Sequence, residues 1–227
     1  MSEPEQNDAG TPALLLPIEA RVLGCLVEKA ATTPETYPLT LNAVVSACNQ
    51  KTNRDPILEL EPGAVGHALR QLEGKRLVAG SMSARASRYE HRMDQALNIT
   101  PRQRALLALM MLRGPQTVPE LLARSDRLAD FPSLDDVRST LDRLSQREPA
   151  LVVRIPRSGG QREDRYMHLL CGPVSAEQYA PSSSASSDSV GGSTQALESR
   201  IEQLESLVDA LQQRLQQVES RFDSDEV

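Results

Sequence analysis

Apolar positions fall at helical spacing in three successive stretches of the first half of the chain. Ile18, Val22, Cys25 and Leu26 predict a helix from about Pro17 to Ala30, and Pro17 suits its opening turn because its φ is already helical and it has no N–H to satisfy. The run from Thr32 to Pro38 breaks that helix. Thr40 is placed to cap a second one carrying Leu41, Val44, Val45 and Cys48 on one face. The most polar run of this half, Asn49 to Pro56, reads as a turn or loop. A third helix, from about Glu61 to Lys75, turns Val65, Leu69 and Leu72 inward; at about 100° per residue, His67, Arg70, Gln71 and Gly74 then face outward. A strand from Leu77, a polar connection through Arg85 and a return strand over Arg88 to His91 complete the pattern.

The second half repeats it. Thr100-Pro101-Arg102-Gln103 has the form of a capping box, and Thr117 with Glu120 has the same form before Val118, Leu121 and Leu122. A third helix from Ser133 to Gln146 places Val137, Leu141 and Leu144 inward, and strands follow at Leu151 to Ile155 and Arg165 to His168. Leu23 pairs with Leu106 (83 apart), Leu41 with Val118 (77), Val65 with Val137 (72) and Tyr89 with Tyr166 (77). The first copy therefore holds about six more residues before its second helix and about five more before its third, in loops of the kind where function often sits. One helix exceeds what a single small domain needs: Leu106, Leu107, Leu109, Met110 and Met111 predict contact with more than its own copy.

Helix, helix, helix and hairpin, in that order and twice over, is the plan of a winged helix-turn-helix. The expected fold class is mainly α with small β-hairpins (α+β), built as two tandem winged helix-turn-helix domains, 14–99 and 100–173. An acidic leader (1–13) precedes them, and a Ser- and Gly-rich linker (174–193) follows, both expected to be disordered. The segment 194–223 carries Leu197, Leu204, Leu211 and Val218 at d positions with Ile201, Val208, Leu215 and Phe222 at a positions. Ile and Val at a with Leu at d favour a parallel two-stranded coiled coil, hence a homodimer. Arg200 facing Glu205 and Arg214 facing Glu219 agree with that register. The alternative is a single amphipathic helix folded back on the core.

Charge sharpens this picture. The formal net charge is −6, but the leader and the segment from Val174 onward are acidic, leaving residues 14–173 with 22 basic and 18 acidic side chains. A mildly basic body permits a nucleic-acid partner, because a local patch rather than the total sets the attraction. Cys25, Cys48 and Cys171 lie far apart and form no C-x-x-C pair, so no metal and no disulfide framework is expected, and the thiols are expected to be buried. With no signal-like apolar segment and no long apolar run, a cytoplasmic protein without membrane contact is expected.

Two functions compete. In the first, the chain binds duplex DNA as a regulator. His67, Arg70 and Gln71 address base edges, Lys51, Arg54, Lys75 and Arg76 contact phosphates, and Arg85 and Arg88 lie on the wing. Arg154, Arg157, Arg162 and Arg165 form a second basic wing around Ser158-Gly159-Gly160, although Asp135 and Asp142 on the neighbouring helix would repel phosphate. A solvated polar face is the plain alternative for each. In the second, the chain is a protein-interaction module without DNA contact. An enzyme is not expected: no glycine loop cradles phosphate, no ligand cluster and no nucleophile-base pair is visible, and no cofactor is implied. His91 and His168, at equivalent strand positions, read as structural.

Glu19-Ala20-Arg21-Val22-Leu23-Gly24-Cys25-Leu26-Val27-Glu28-Lys29, then Thr33-Pro34-Glu35, Tyr37-Pro38-Leu39 and Ala47-Cys48-Asn49-Gln50-Lys51-Thr52-Asn53-Arg54, resemble the YceH family, a group of uncharacterised bacterial proteins. The resemblance runs from about Leu14 to Pro173 and includes Arg165-Tyr166-Met167-His168. It implies tandem winged-helix domains and carries over no residue roles.

Overall fold

The computed structural model describes residues 14–82, 87–157 and 162–174. The leader, both hairpin tips with Arg85, the linker and the 194–223 heptads with their a and d residues lie outside the described residues. The chain runs α1 (Pro17–Thr32), β1 (Leu39–Thr40), α2 (Leu41–Cys48), α3 (Pro62–Gly74), β2 (Val78–Met82), β3 (Ser87–His91), α4 (Met93–Leu97), α5 (Pro101–Arg113), α6 (Val118–Ser125), α7 (Leu134–Ser145), β4 (Val152–Ile155) and β5 (Arg165–His168). It is a mixed α+β fold, and its described residues form two small antiparallel sheets, ordered β1-β3-β2 and β4-β5.

Helix starts follow from their caps. The hydroxyls of Thr40, Thr100, Thr117 and Ser133 accept the N–H groups of Ala43, Gln103, Glu120 and Asp136, each satisfying a donor that the first turn leaves open. At α1 the capping position is Leu16, and the Glu19 carboxylate instead accepts the Leu16 N–H at 2.8 Å. Gly114 closes α5 at φ +69, a conformation that a side chain would strain.

The repeat extends to hydrogen-bond register. Leu39 lies opposite Tyr89, and an isolated bridge sets Gln116 opposite Tyr166, so both partners are displaced by 77 residues. Val78 faces His91 and Val152 faces His168. The Leu77 N–H donates to the Leu72 carbonyl and the Leu151 N–H to the Leu144 carbonyl, so a bond ties the third helix to the following strand in each copy, across a connection two residues longer in the second. The caps refine one offset: Glu19 and Gln103 hold equivalent positions, 84 apart, so the first copy is longer by seven residues, not six, before its second helix.

One core spans both copies. Residues Ala105 to Leu112 of α5 are buried without interruption, and α1 is buried from Glu19 to Val27. The one-sided face expected of α1 is therefore corrected: α2 and α3 cover one side and α5 covers another. Gly24 makes that second contact close. A Cβ there would lie 3.0 Å from Leu112 Cγ and 3.2 Å from Met111 Cβ. Each large aliphatic side chain so buried contributes roughly 1.5–3 kcal/mol relative to exposure, which favours the two copies folding as a unit.

Candidate functional site

The third helix of the first copy has the predicted outward face. Val65, Ala68, Leu69 and Leu72 are buried, which turns His67, Arg70, Gln71 and Gly74 to the surface. Among the described residues, the side chains of His67, Arg70 and Gln71 hold no hydrogen bond, leaving their donors and acceptors available. Arg76 follows at φ +58 in the turn to β2 and is exposed. Arg88 on β3 is exposed and donates to the Pro38 carbonyl at 2.8 Å, beside the β1 edge. Glu59 and Glu61 are also exposed just ahead of α3; carboxylates there favour the helix dipole and disfavour a phosphate at that end.

Arg54 requires a correction, because it faces inward. Its side chain is fully buried and paired with Glu28 at 2.5 Å, while its Nε–H donates to the Ala47 carbonyl and a further N–H to Gln50. Burial alone would lower its pKa, but the bonds to Glu28 outweigh that and raise it. The whole polar loop is organised around this pair. Asn49 exchanges two hydrogen bonds with the backbone of Leu60, the Asp55 N–H donates to Leu112 at the end of α5, and Arg113 donates to the Asn53 side chain. The insertion that looked like a functional loop docks the first copy onto the second. Lys51 stays exposed at its tip, whereas Lys75 is taken up by the buried Glu19 carboxylate and the Leu14 carbonyl.

The arginines of the second copy are brought together around β4 and β5, with acids among them. Arg154 pairs with Asp164, which also accepts the Arg157 N–H; these bonds, the one from Arg157 first, hold its carboxyl below the usual range. Arg165 donates to the Pro115 carbonyl and lies 3.4 Å from Glu120. Arg157 reaches the Arg162 carbonyl, and neither side chain has a carboxylate partner among the described residues. On α7, Asp135 and Asp142 are exposed, with Asp135 paired to Arg138 at 3.2 Å.

The strand histidines are enclosed. The His91 ring stands 6.2 Å from the Tyr37 ring, and the His91 backbone N–H donates to the Tyr37 hydroxyl at 2.6 Å; burial pushes that phenol up to about 12. His168 is 3% exposed and burial drives its pKa down to about 4. Cys25 and Cys48 are buried as expected, but Cys171 is exposed. Among the described residues, no group of three or more His, Cys, Asp or Glu side chains is arranged to hold a metal, and no helix is long and apolar enough to cross a membrane.

Several features escaped the sequence reading, among them the short helix α4, strand β1 and the burial of Arg21. The two-residue strand β1 is too short to show periodicity. Arg21 is only 3% exposed, and its position was a usable signal, since it falls three residues after Ile18 and four before Cys25 on the helix's apolar face.

The family described as "Protein of unknown function, DUF480" matches residues 15–161. A UPF0502 protein of Stenotrophomonas maltophilia is 54% identical over 199 residues, covering 86% of this chain and 89% of the relative. UPF0502 proteins of Xanthomonas axonopodis pv. citri and Mesorhizobium japonicum are each 52% identical, covering 89% and 86% of this chain and 91% of each relative. The matched span holds both copies of the repeat as far as the second hairpin, and on that extent the chain belongs to the bacterial DUF480/UPF0502 family.

Proposed function

We propose that this is a tandem winged-helix protein that binds duplex DNA as a dimeric regulator and reads the groove with its first copy. The observation that carries this reading is the outward face of α3, where His67, Arg70 and Gln71 stand exposed and uncommitted beside a hairpin bearing Arg88. The order β1-α2-α3-β2-β3, with β1 closing on β3, supports the winged arrangement. In it α3 is the groove helix, Lys51, Arg76 and Arg88 are the phosphate contacts, and Arg157 and Arg162 serve the second wing. Arg54, Lys75, Arg154 and Arg165 are assigned to the fold by their carboxylate partners. The heptads of 194–223 supply the dimer, which would place two such faces on one duplex.

Fluorescence anisotropy with labelled duplex at two salt concentrations tests the reading. Binding at micromolar protein should weaken steeply as salt rises, because each neutralised phosphate releases counterions. The double substitution Arg70→Ala and Gln71→Ala should weaken it by at least about tenfold, the worth of a lost base contact. No salt-sensitive binding at micromolar protein would overturn the proposal.

A second reading, a protein-interaction module, is favoured for the second copy by the mixed charge on the outward face of α7, where Arg138 and Arg143 stand exposed beside Asp135 and Asp142, and by the balanced charge around Asp164. A partner retained after nuclease treatment would support it.

A further inference from the structure

A cleft of about 580 Å³ opens between the two copies, walled by α1, the segment Asp55 to Leu58, the end of α5 and strand β5. That volume lies in the range of small-molecule sites. Its apolar wall includes Ala20, Leu58, Met110, Met111 and Met167, and its polar groups are unusual.

Arg21 reaches the cleft from α1 although its side chain is almost wholly buried. Two of its N–H groups donate to the carbonyls of Cys48 (3.3 Å) and Pro56 (2.7 Å), and its Nε–H has no partner among the described residues. No carboxylate lies within ion-pair distance of it among those residues. A buried guanidinium ordinarily needs a counter-charge, since desolvation costs several kcal/mol that carbonyls alone do not offset. Arg54 provides the contrast: it is equally buried, close to the same helix, and has Glu28 built in beside it. From the other copy, His168 lines the same cleft, is 3% exposed, and has an unpartnered Nδ1. The formal charges on the lining are Arg21, Arg113 and Arg165 against Asp55 alone, so the cleft favours an anion.

We infer that this cleft binds a small amphipathic organic anion, a carboxylate on an apolar ring or chain, with the carboxylate on Arg21 and the apolar body against Met110, Met111 and Met167. His168 supplies the second polar contact through Nδ1. The site takes one wall from each copy, so its occupant would bear on the junction between them. The inference does not depend on DNA binding.

Methyl NMR on the full chain labelled at methionine reads it directly, because three of the six methionines line the cleft and Met93, buried in the first copy, is an internal reference. Titration with 1-naphthoate should shift the Met110, Met111 and Met167 methyls saturably, with a Kd below about 1 mM, and leave Met93 in place. The uncharged 1-naphthalenemethanol should bind at least about tenfold more weakly, and Arg21→Gln should cost 1-naphthoate at least about tenfold. Met167→Glu, which sets a carboxylate into the cleft from a half-buried strand position, should also abolish binding. It decides the matter if Arg21→Gln displaces the Met93 resonance and so fails to fold. Absence of saturable shifts, equal binding of acid and alcohol, or undiminished binding in a folded Arg21→Gln or Met167→Glu variant would each overturn the inference.

Discussion

Arg54 and Arg70 are the same amino acid in opposite circumstances, and the difference sets what each substitution should do. Arg54 sits in a buried ion pair, so Arg54→Ala leaves Glu28 without its partner and should lower stability by about 3 kcal/mol or more. Arg70→Ala, on the solvent side of α3, should change stability by no more than about 0.5 kcal/mol. Urea unfolding of both variants checks this, and a near-neutral Arg54→Ala would remove the structural role assigned to the loop. Sequence alone could not separate the two, because hydropathy reads every arginine as exposed and the carboxylate that buries Arg54 lies 26 residues away. His168 is a second case. Its imidazole has a pKa of about 4 in the fold against an ordinary 6.5, so between those values the unfolded chain takes up a proton that the native state refuses. Its contribution is complete above pH 6.5 and is lost as pH falls towards 4, a decline of about 3 kcal/mol at most. Urea midpoints at about pH 7 and about pH 4.5 should fall further for the native chain than for His168→Leu; equal declines would contradict the assignment.

At the scale of elements, the pairing of α1 with α5 governs. Gly24 is tolerated inside a helix, where glycine is poor, because Leu112 and Met111 occupy the space a side chain would need. Gly24→Val should therefore cost about 1–3 kcal/mol by overpacking, and it should lower the thermal midpoint without splitting the transition. Two separate transitions in either chain would show that the copies do not share a core. How legible each element was follows from its physics. The apolar excess of α5 was plain in the sequence and correctly pointed beyond its own copy. The enclosure of α1 was hidden because Glu19 and Arg21 interrupt its pattern, and their partners, Lys75 and the carbonyls of Cys48 and Pro56, come from other elements. Strand β1 escaped because Leu39 and Thr40 pair with residues about fifty positions away, while Thr40 announced itself only as a cap.

For the whole molecule, duplication was readable from spacing, and the register of Leu39 with Tyr89 and Gln116 with Tyr166 shows how far it reaches. The difference between the surfaces of the two copies was readable in part. The outward residues of α3 and α7 lie where a helical wheel puts them, since burial of their inner faces leaves no other arrangement. The cleft between the copies was not readable, because it is made by the docking of one copy on the other, and neither copy contains it. One remaining bond has a mechanical meaning. The Leu15 N–H donates to the Leu170 carbonyl at 2.7 Å, joining the point where the chain enters the described body to the point where it leaves. A pull applied through the leader and the linker would load that junction first and leave the helices between unstretched until it gave way, so the body would act as a closed link between whatever its two ends hold.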